Sequence, residues 1–192
     1  MHWFKDLMFE MDGLKGVNRH SKIADGSRRE NSAEHSWHLA MALMALAPRL
    51  PGEVNLNHAI RLALAHDVCE IGAGDLCAYS AARSDHSEEE RAYLQDLKSR
   101  HGDFGGEMLA LWQEYEAQTT LESRWVKVVD QLLPFLLNLA NNGETWQARG
   151  ISAADVARHN ISIQSIAPDI YEWMMGELDS AVSQGWIEAL KD

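Results

Sequence analysis

The chain has 192 residues, of which 46% are apolar, and its formal net charge is −12. This length and composition predict a single domain, residues 1–192, with a core that needs no disulfides, and they exclude a disordered chain. The acidic charge argues against a nucleic-acid partner, because phosphate backbones bind mainly to cationic surfaces. No apolar run approaches the roughly 20 residues that cross a bilayer. We therefore expect no membrane partner and a cytoplasmic location.

Helix-type spacing of apolar residues dominates the first half of the chain, and no convincing alternating strand pattern appears. We predict a first helix over residues 2–14, followed by a polar loop that runs to Asn31. Asn31 and Glu34 have the spacing of a capping box, which would begin a helix that ends near residue 46. Asn57 could cap the next helix, residues 59–71, and the glycines at positions 72 and 74 would end it.

The second half of the chain continues the helical pattern. Ser87 and Glu90 would cap a helix that ends near residue 100, and another helix should cover residues 106–117. Thr119 and Glu122 would cap a helix over residues 121–140. The last helices should begin after Ser152 and near residue 168. The predicted fold class is therefore all-α, a compact bundle of about seven or eight helices.

Two apolar segments contain acidic residues that need a partner. Residues 62–65 are apolar and lead directly into His66 and Asp67, with Glu70 three residues later. Asp130 is the one acidic residue among the apolar residues of 125–137. Ionised carboxylates in such places are costly unless they are paired or bind a metal. A metal is one interpretation; helix capping by His66 and Asp67, and a buried pair of Asp130 with a basic residue, are the others.

A third segment, residues 34–38, offers two more imidazoles near the start of a helix. His35 and His38 are three residues apart, so either could reach the same ion. The residues alone leave that choice open. Cys69 and Cys77 are too few for a disulfide framework, and we expect free thiols.

Taken in order, His35, the adjacent pair His66–Asp67 and the distant Asp130 form the pattern H…HD…D, which resembles the HD-domain superfamily of metal-dependent phosphohydrolases. Residues 28–36, 66–75 and 111–131 are similar to its 5′-deoxynucleotidase branch, and the resemblance covers about residues 14–138. It implies an HD-domain helical bundle on which C-terminal helices, residues 152–190, would pack. It also implies that these four residues bind one divalent transition metal: Mn, Co, Fe, Ni or Zn.

The same resemblance implies that the substrate is a small nucleotide, and that the reaction removes phosphate from (deoxy)nucleoside 5′-monophosphates. Glu70 would position or deprotonate water, or instead hold a ligand imidazole. Asp75 would protonate the leaving 5′ oxygen or hold the sugar. Arg19 would contact the phosphate, and Arg28 would either do the same or pair with a nearby glutamate. His20 stands where members of the branch have Trp, which leaves the sugar preference open.

Other functions stay open at this point. One alternative is another HD enzyme: a cyclic-nucleotide hydrolase, a nucleotide-polyphosphate hydrolase or a di-iron oxygenase. Another is a metal-stabilised interaction module without turnover. His86 and His101 could serve a second metal, but neither stands in a recognisable spacing, so one metal is favoured. The aromatic and methionine residues of the last helix should be core, and they could also supply the interface of a homodimer.

Overall fold

A computed structural model describes residues 1–77, 79 and 83–189. Its described part is mainly helical, which confirms the all-α fold class. Residue 190, at the end of the predicted C-terminal segment, lies outside the described residues. In chain order the helices are α1 (His2–Asp12), α2 (Ser32–Leu46), α3 (Leu56–Ala65), α4 (Glu70–Ala73), α5 (Arg83–Ala117), α6 (Leu121–Ala140), α7 (Glu144–Arg149), α8 (Ala153–His159), α9 (Ile163–Ile166) and α10 (Pro168–Ser183). None of the described helices combines the length and the apolar character that a membrane crossing requires.

The predicted polar loop before α2 is instead a short hairpin. Strands β1 (Asn18–Lys22) and β2 (Arg29–Asn31) pair in a two-stranded sheet. Ile23 N–H donates to the Arg28 carbonyl at 3.1 Å, next to the turn. The sequence pattern does not predict these strands, because all of their residues are polar and no apolar alternation marks them. The hairpin ends at Asn31, which is the N-cap of α2.

The capping boxes decide where several helices begin. Asn31 and Glu34 form the predicted box at the start of α2, and Ser152 caps α8 as predicted. The cap of α3 is Asn55 and not Asn57. Thr120 caps α6 by accepting a hydrogen bond from Ser123 N–H at 3.1 Å, so the predicted pair at 119 and 122 is wrong.

The long helix α5 covers both helices predicted between residues 87 and 117. Gly102 interrupts it with φ 56° and ψ −125°, a conformation open to glycine. The break therefore falls between the two predicted segments. Since α5 begins at Arg83, however, Ser87 lies inside the helix and is not its cap.

By internal contacts the chain divides into two compact units. The first comprises Met1–Arg19 and Glu30–Val129, and its core is aliphatic. Helix α2 packs against α3, and α3 packs against α5. The side chains at its centre are fully buried: Leu39, Leu43, Leu62, Leu94, Leu97 and Val126. Burying each of them contributes about 1.5–3 kcal/mol, so this core fixes the helices that carry most of the candidate site.

The second unit comprises His20–Arg29 and Asp130–Asp192. Its core contains aromatic residues, with the Phe135 and Trp146 ring centroids 5.7 Å apart. On α10, Met174 and Leu178 are buried, whereas Trp173 is 45% exposed. The prediction that the aromatic and methionine residues of the last helix are core therefore holds for Met174 but not for Trp173, and Tyr171 and Met175 are only half-buried. That residues 1–192 form a single domain stays a prediction.

A polar cluster joins α1 to α5 within the first unit. Glu10 accepts hydrogen bonds from Tyr93 at 2.9 Å and from Arg100, and it lies 2.6 Å from His101 Nε2. Burial alone would raise the pKa of Glu10, but the hydrogen bonds from Arg100, His101 and Tyr93 outweigh it and lower that pKa below 4.5. We call these four residues the Glu10 cluster. Within this cluster His101 contacts Glu10.

Candidate metal centre

His66 and Asp67 lie in a turn that follows α3, not inside a helix as predicted. The backbone bonds there span three residues, from Val68 N–H to the Ala65 carbonyl at 3.1 Å and from Glu70 N–H to the Asp67 carbonyl at 3.0 Å. This is 3₁₀-type spacing, in which residues three apart are eclipsed. Asp67 and Glu70 therefore come to the same side of the chain.

The tautomer of His66 follows from its contact with the backbone. Nδ1 lies 2.8 Å from the Ala63 carbonyl oxygen, which can only accept, so Nδ1 carries the proton. In the neutral ring, Nε2 then has a lone pair. Nε2 lies 3.0 Å from Asp67 Oδ1, another electron-pair donor. Only a cation, either a proton or a metal ion, makes that arrangement favourable, so this pair of residues fits a metal.

Two further residues bring ligand atoms to the same place. Among the described residues, ligand atoms of His35, His66 and Asp130 all lie within 4.8 Å of one another. His35 is fully buried, whereas the side chain of His38 is 40% exposed. The structure therefore favours His35 over His38 as a candidate ligand. Asp67 lies beside this group through its contact with His66.

Arg19 lies among the carboxyl groups of the site. Nη1 donates to Asp67 Oδ2 at 2.7 Å, and it lies 3.9 Å from carboxyl oxygens of Glu70 and Asp75. Nε lies 3.7 Å from Glu30 Oε2. The Arg19 side chain is only 13% exposed. A guanidinium in this position supplies the kind of forked, permanently charged donor that binds phosphate in proteins.

The environments of Asp67 and Glu70 push their pKa values in opposite directions. Burial raises the pKa of Asp67, but the charges of His66 and Arg19 outweigh it and lower that pKa to about 2. Burial and the neighbouring Asp67 raise the pKa of Glu70 well above its ordinary 4.5. Glu70 also accepts a hydrogen bond from Ser32. One carboxyl group is thus held ionised while its neighbour favours the protonated form, which is the arrangement that separates a ligand from an acid–base group.

The other predicted residues differ in their surroundings. Gly74, with φ 80° and ψ 168°, ends α4 in a conformation that suits glycine, and it places Asp75 near Arg19. Arg28 is exposed, and its Nη1 donates to the Arg29 carbonyl at 3.0 Å. The catalytic roles of Glu70 and Asp75 and the substrate-binding role of Arg28 stay predictions.

Glu30, for which no site role was predicted, is 3% exposed. Its Oε2 lies 3.4 Å from Nδ1 of His35, and its Oε1 lies 3.8 Å from Nδ1 of His38. A carboxylate beside the second nitrogen of a ligand imidazole commonly orients the ring. No hydrophobic pattern marks Glu30, and the available signal was its position inside the segment 28–36 that resembles the family.

The thiol of Cys69 is an unsuitable ligand although it follows Asp67 by two residues. Cys69 is buried, and its Sγ lies 3.4 Å from the His66 carbonyl oxygen. Burial, followed by the charge of Glu90, raises the pKa of the thiol well above 9.0. Since only the thiolate binds metal strongly, the candidate donors are nitrogen and oxygen atoms.

Comparison with protein families and curated proteins gives a consistent result. The HD domain model matches residues 11–171. The chain is 31% identical over 106 residues to the 5′-deoxynucleotidase HDDC2 of Homo sapiens, which covers 54% of this chain and 50% of that protein. The protein of the same name from Bos taurus is 36% identical over 104 residues, covering 53% and 49%. The chain therefore spans about half the length of the curated relatives it matches.

Solved structures extend the similarity over nearly the whole chain. The crystal structure of a predicted metal-dependent phosphohydrolase from Magnetospirillum magnetotacticum MS-1 superposes with a TM-score of 0.90 at 34% identity. The match covers 97% of this chain and 94% of that one. A conserved hypothetical protein from Pyrococcus furiosus gives a TM-score of 0.65 at 24% identity, covering 88% and 97%, which supports the fold.

Proposed function

This chain belongs to the HD domain family, and from that premise we propose that it is a metal-dependent phosphohydrolase. The observation that carries the proposal is the surroundings of Asp67. That carboxylate contacts a candidate ligand, His66, at 3.0 Å and a guanidinium, Arg19, at 2.7 Å. A metal and a phosphate group would therefore be held by neighbouring side chains.

We propose that His35, His66, Asp67 and Asp130 hold one divalent transition metal. Two imidazoles and two carboxylates suit Mn, Fe, Co, Ni or Zn, and the protonated thiol of Cys69 argues against a thiolate site. When bound, such an ion supplies Lewis acidity towards water and phosphoryl oxygen. The chain itself contributes fixed donors, because the backbone holds the His66 tautomer.

We propose that Arg19 binds the phosphate of the substrate. Its guanidinium already lies in a buried, acidic place that a phosphate ester would otherwise avoid. Moving from Asp67 to the phosphate would exchange one charged hydrogen-bond acceptor for another, at small cost. Arg28 is a candidate for a second phosphate contact.

Glu70 and Asp75 are the carboxyl groups that we propose for proton transfer. Burial and the charge of Asp67 raise the pKa of Glu70 well above 4.5, so its carboxylate is a stronger base than usual and is suited to take a proton from attacking water. Asp75 follows the turn at Gly74 and lies 3.9 Å from Arg19, beside the proposed phosphate position. It would pass the proton that Glu70 takes from water on to the leaving 5′ oxygen, or it would hold the sugar.

For the substrate we propose a nucleoside 5′-monophosphate. The support is the 5′-deoxynucleotidase name of relatives that this chain matches over about half their length. If the chain instead catalyses another hydrolysis reaction of the HD family, the substrate would be a cyclic nucleotide or a nucleotide polyphosphate. The choice between ribose and deoxyribose is left to measurement.

Phosphate release from ribo- and deoxynucleoside monophosphates, with Mn²⁺ or Co²⁺ added, tests the proposal. Asp67→Ala should lose both metal and activity. Glu70→Ala should keep the metal and lose about 100-fold or more in rate. Asp103→Ala, at an exposed position on α5, is the control and should match the wild type. Full activity of Glu70→Ala would refute its role, and absence of phosphate release from the whole panel would refute the substrate class.

We also propose that the protein forms a homodimer and acts in the cytoplasm on small molecules rather than nucleic acid. Helix α2 has exposed apolar residues spaced four and three apart: Trp37 (62% exposed), Met41 (44%) and Met44 (51%). Such a row is suited to a twofold contact. Light scattering coupled to gel filtration tests the mass, and a monomer at micromolar concentration would contradict the dimer.

A further inference from the structure

An aromatic side chain packs against the candidate ligand His66. Tyr115, on the second half of α5, is 4% exposed. Its ring centroid lies 5.0 Å from that of His66, with the two planes 60° apart. The bond from His66 Nδ1 to the Ala63 carbonyl fixes one edge of the imidazole, but it leaves the ring able to tilt about that bond. Contact with Tyr115 limits this tilt.

The Tyr115 ring is itself held by a lysine of α6. Lys127 Nζ donates to Tyr115 Oη at 2.6 Å, and the same ammonium lies 4.7 Å from the ring centroid. This hydrogen bond tethers the hydroxyl end of the ring and so limits its movement. Lys127 also lies three residues before Asp130, about one turn away along α6.

We propose that Tyr115 and Lys127 are positioning residues that orient the imidazole of His66 for metal binding. The inference rests on the proposed metal-binding role of His66. Neither residue is a metal donor in this arrangement, since Lys127 is engaged with Tyr115 and Tyr115 presents its ring to His66. Their contribution is to reduce the number of imidazole orientations that compete with the binding one.

A purely structural role makes a different prediction. If the bond between Lys127 and Tyr115 only joined α5 to α6, its loss would lower the melting temperature and leave metal binding unchanged. A positioning role changes the ligand geometry, which the visible absorption spectrum of bound Co²⁺ reports directly. The two roles are therefore separable without an activity assay.

The experiment compares Tyr115→Phe, Lys127→Met and the double variant in the full-length protein, with Co²⁺ as the probe. We expect each single variant to weaken Co²⁺ binding about 10-fold by calorimetry and to shift the Co²⁺ spectrum. The double variant should be no weaker than either single one, because the two residues act as one unit. Lys127→Arg should restore most of the affinity, since it keeps the charge and the donor.

Tyr93→Phe is the matched control, because it removes a phenol–carboxylate bond on the same helix, in the Glu10 cluster. It should bind Co²⁺ as the wild type does. Wild-type affinity and spectrum in both Tyr115→Phe and Lys127→Met would overturn the inference, whatever their melting temperatures. Failure of the wild type to bind Co²⁺ would overturn it together with the metal proposal. Absence of phosphate release with Co²⁺ bound would count against the substrate alone.

Discussion

Replacing Arg19 by alanine should strongly destabilise the metal-free protein, because this guanidinium lies among four carboxyl groups. Its nitrogen atoms are 2.7 Å from one of them and 3.7–3.9 Å from the other three. These four side chains are at most 11% exposed: Glu30, Asp67, Glu70 and Asp75. Without Arg19, their charges repel one another in a place that water barely reaches.

The size of the effect follows from the burial of the group. Removing one partner of a buried ion pair costs about 3–5 kcal/mol, because an uncompensated charge remains. For a chain of this length, 1 kcal/mol moves the melting temperature by about 2–4 °C. Arg19→Ala should therefore melt about 6–20 °C lower in EDTA. The lower end is expected to the extent that Glu70, whose pKa burial and Asp67 raise, takes up a proton and loses its charge.

Calorimetry with EDTA and with saturating Co²⁺ checks the prediction. A divalent cation on Asp67 replaces the lost positive charge, so the variant should recover part of its stability when loaded. Its Co²⁺ affinity should not fall, because Arg19 and the metal compete for the same carboxylate, whereas KM for the nucleotide should rise about 10-fold or more. Arg61→Ala, which removes an exposed pair with Glu107, is the control. If Arg19→Ala in EDTA melts within about 2 °C of this control, Arg19 does not balance the cluster.

Three further predictions concern single positions. Glu30→Gln should weaken Co²⁺ binding about 10–100-fold by calorimetry, because the carboxylate lies beside a ligand imidazole; unchanged affinity would remove Glu30 from the site. Gly72→Ala should lower the free energy of unfolding by about 1–3 kcal/mol, because the added Cβ would lie 2.2 Å from the Tyr93 side chain. Gly176→Ala, whose Cβ would meet no atom within 4 Å, should raise that free energy by about 0.5–1 kcal/mol. Denaturant unfolding measures both. Glu10 has a lowered pKa, so the stability it contributes is present above pH 4.5 and is lost as the pH falls through the lowered value. Glu10→Gln should therefore flatten the fall of melting temperature between about pH 6 and 3, and an equal slope in both proteins would contradict this.

Local signals predicted the helices well where the cap and the apolar pattern agreed. Asn31 and Glu34 stand at the correct spacing, and α2 both begins and ends where the sequence indicates. At α3 and α6 two candidate caps lie within two residues of each other, and spacing alone could not separate them. A tertiary contact distinguishes the two candidate caps of α6. The Glu122 carboxylate accepts a hydrogen bond from Asn55 N–H and does not take part in the cap, which Thr120 provides. Such a contact spans 67 residues, which local patterns cannot register.

The candidate site was predictable in its donors and less so in its surroundings. Residues of the H…HD…D pattern stand out because ionisable groups interrupt apolar segments. Glu30 and the pair of Tyr115 and Lys127 give no such signal, since a glutamate in a polar strand and a tyrosine in a helix are both ordinary. Their relation to His35 and His66 arises only from packing of separate elements. The sequence therefore indicated the candidate ligands and not the residues that we propose hold them in place.

The tight backbone at the HD motif links the sequence to the proposed chemistry. In an α-helix through residues 66–70, Asp67 and Glu70 would lie about 60° apart around the axis, whereas the 3₁₀-type bonds bring them into register. This register brings the two buried carboxyl groups close together. Burial and the nearby charge of Asp67 then raise the pKa of Glu70. Asp67 stays ionised because His66 and Arg19 are its neighbours. We infer that the tight turn after Ala65 strengthens this contact between Asp67, the proposed metal ligand, and Glu70, the proposed acid–base group.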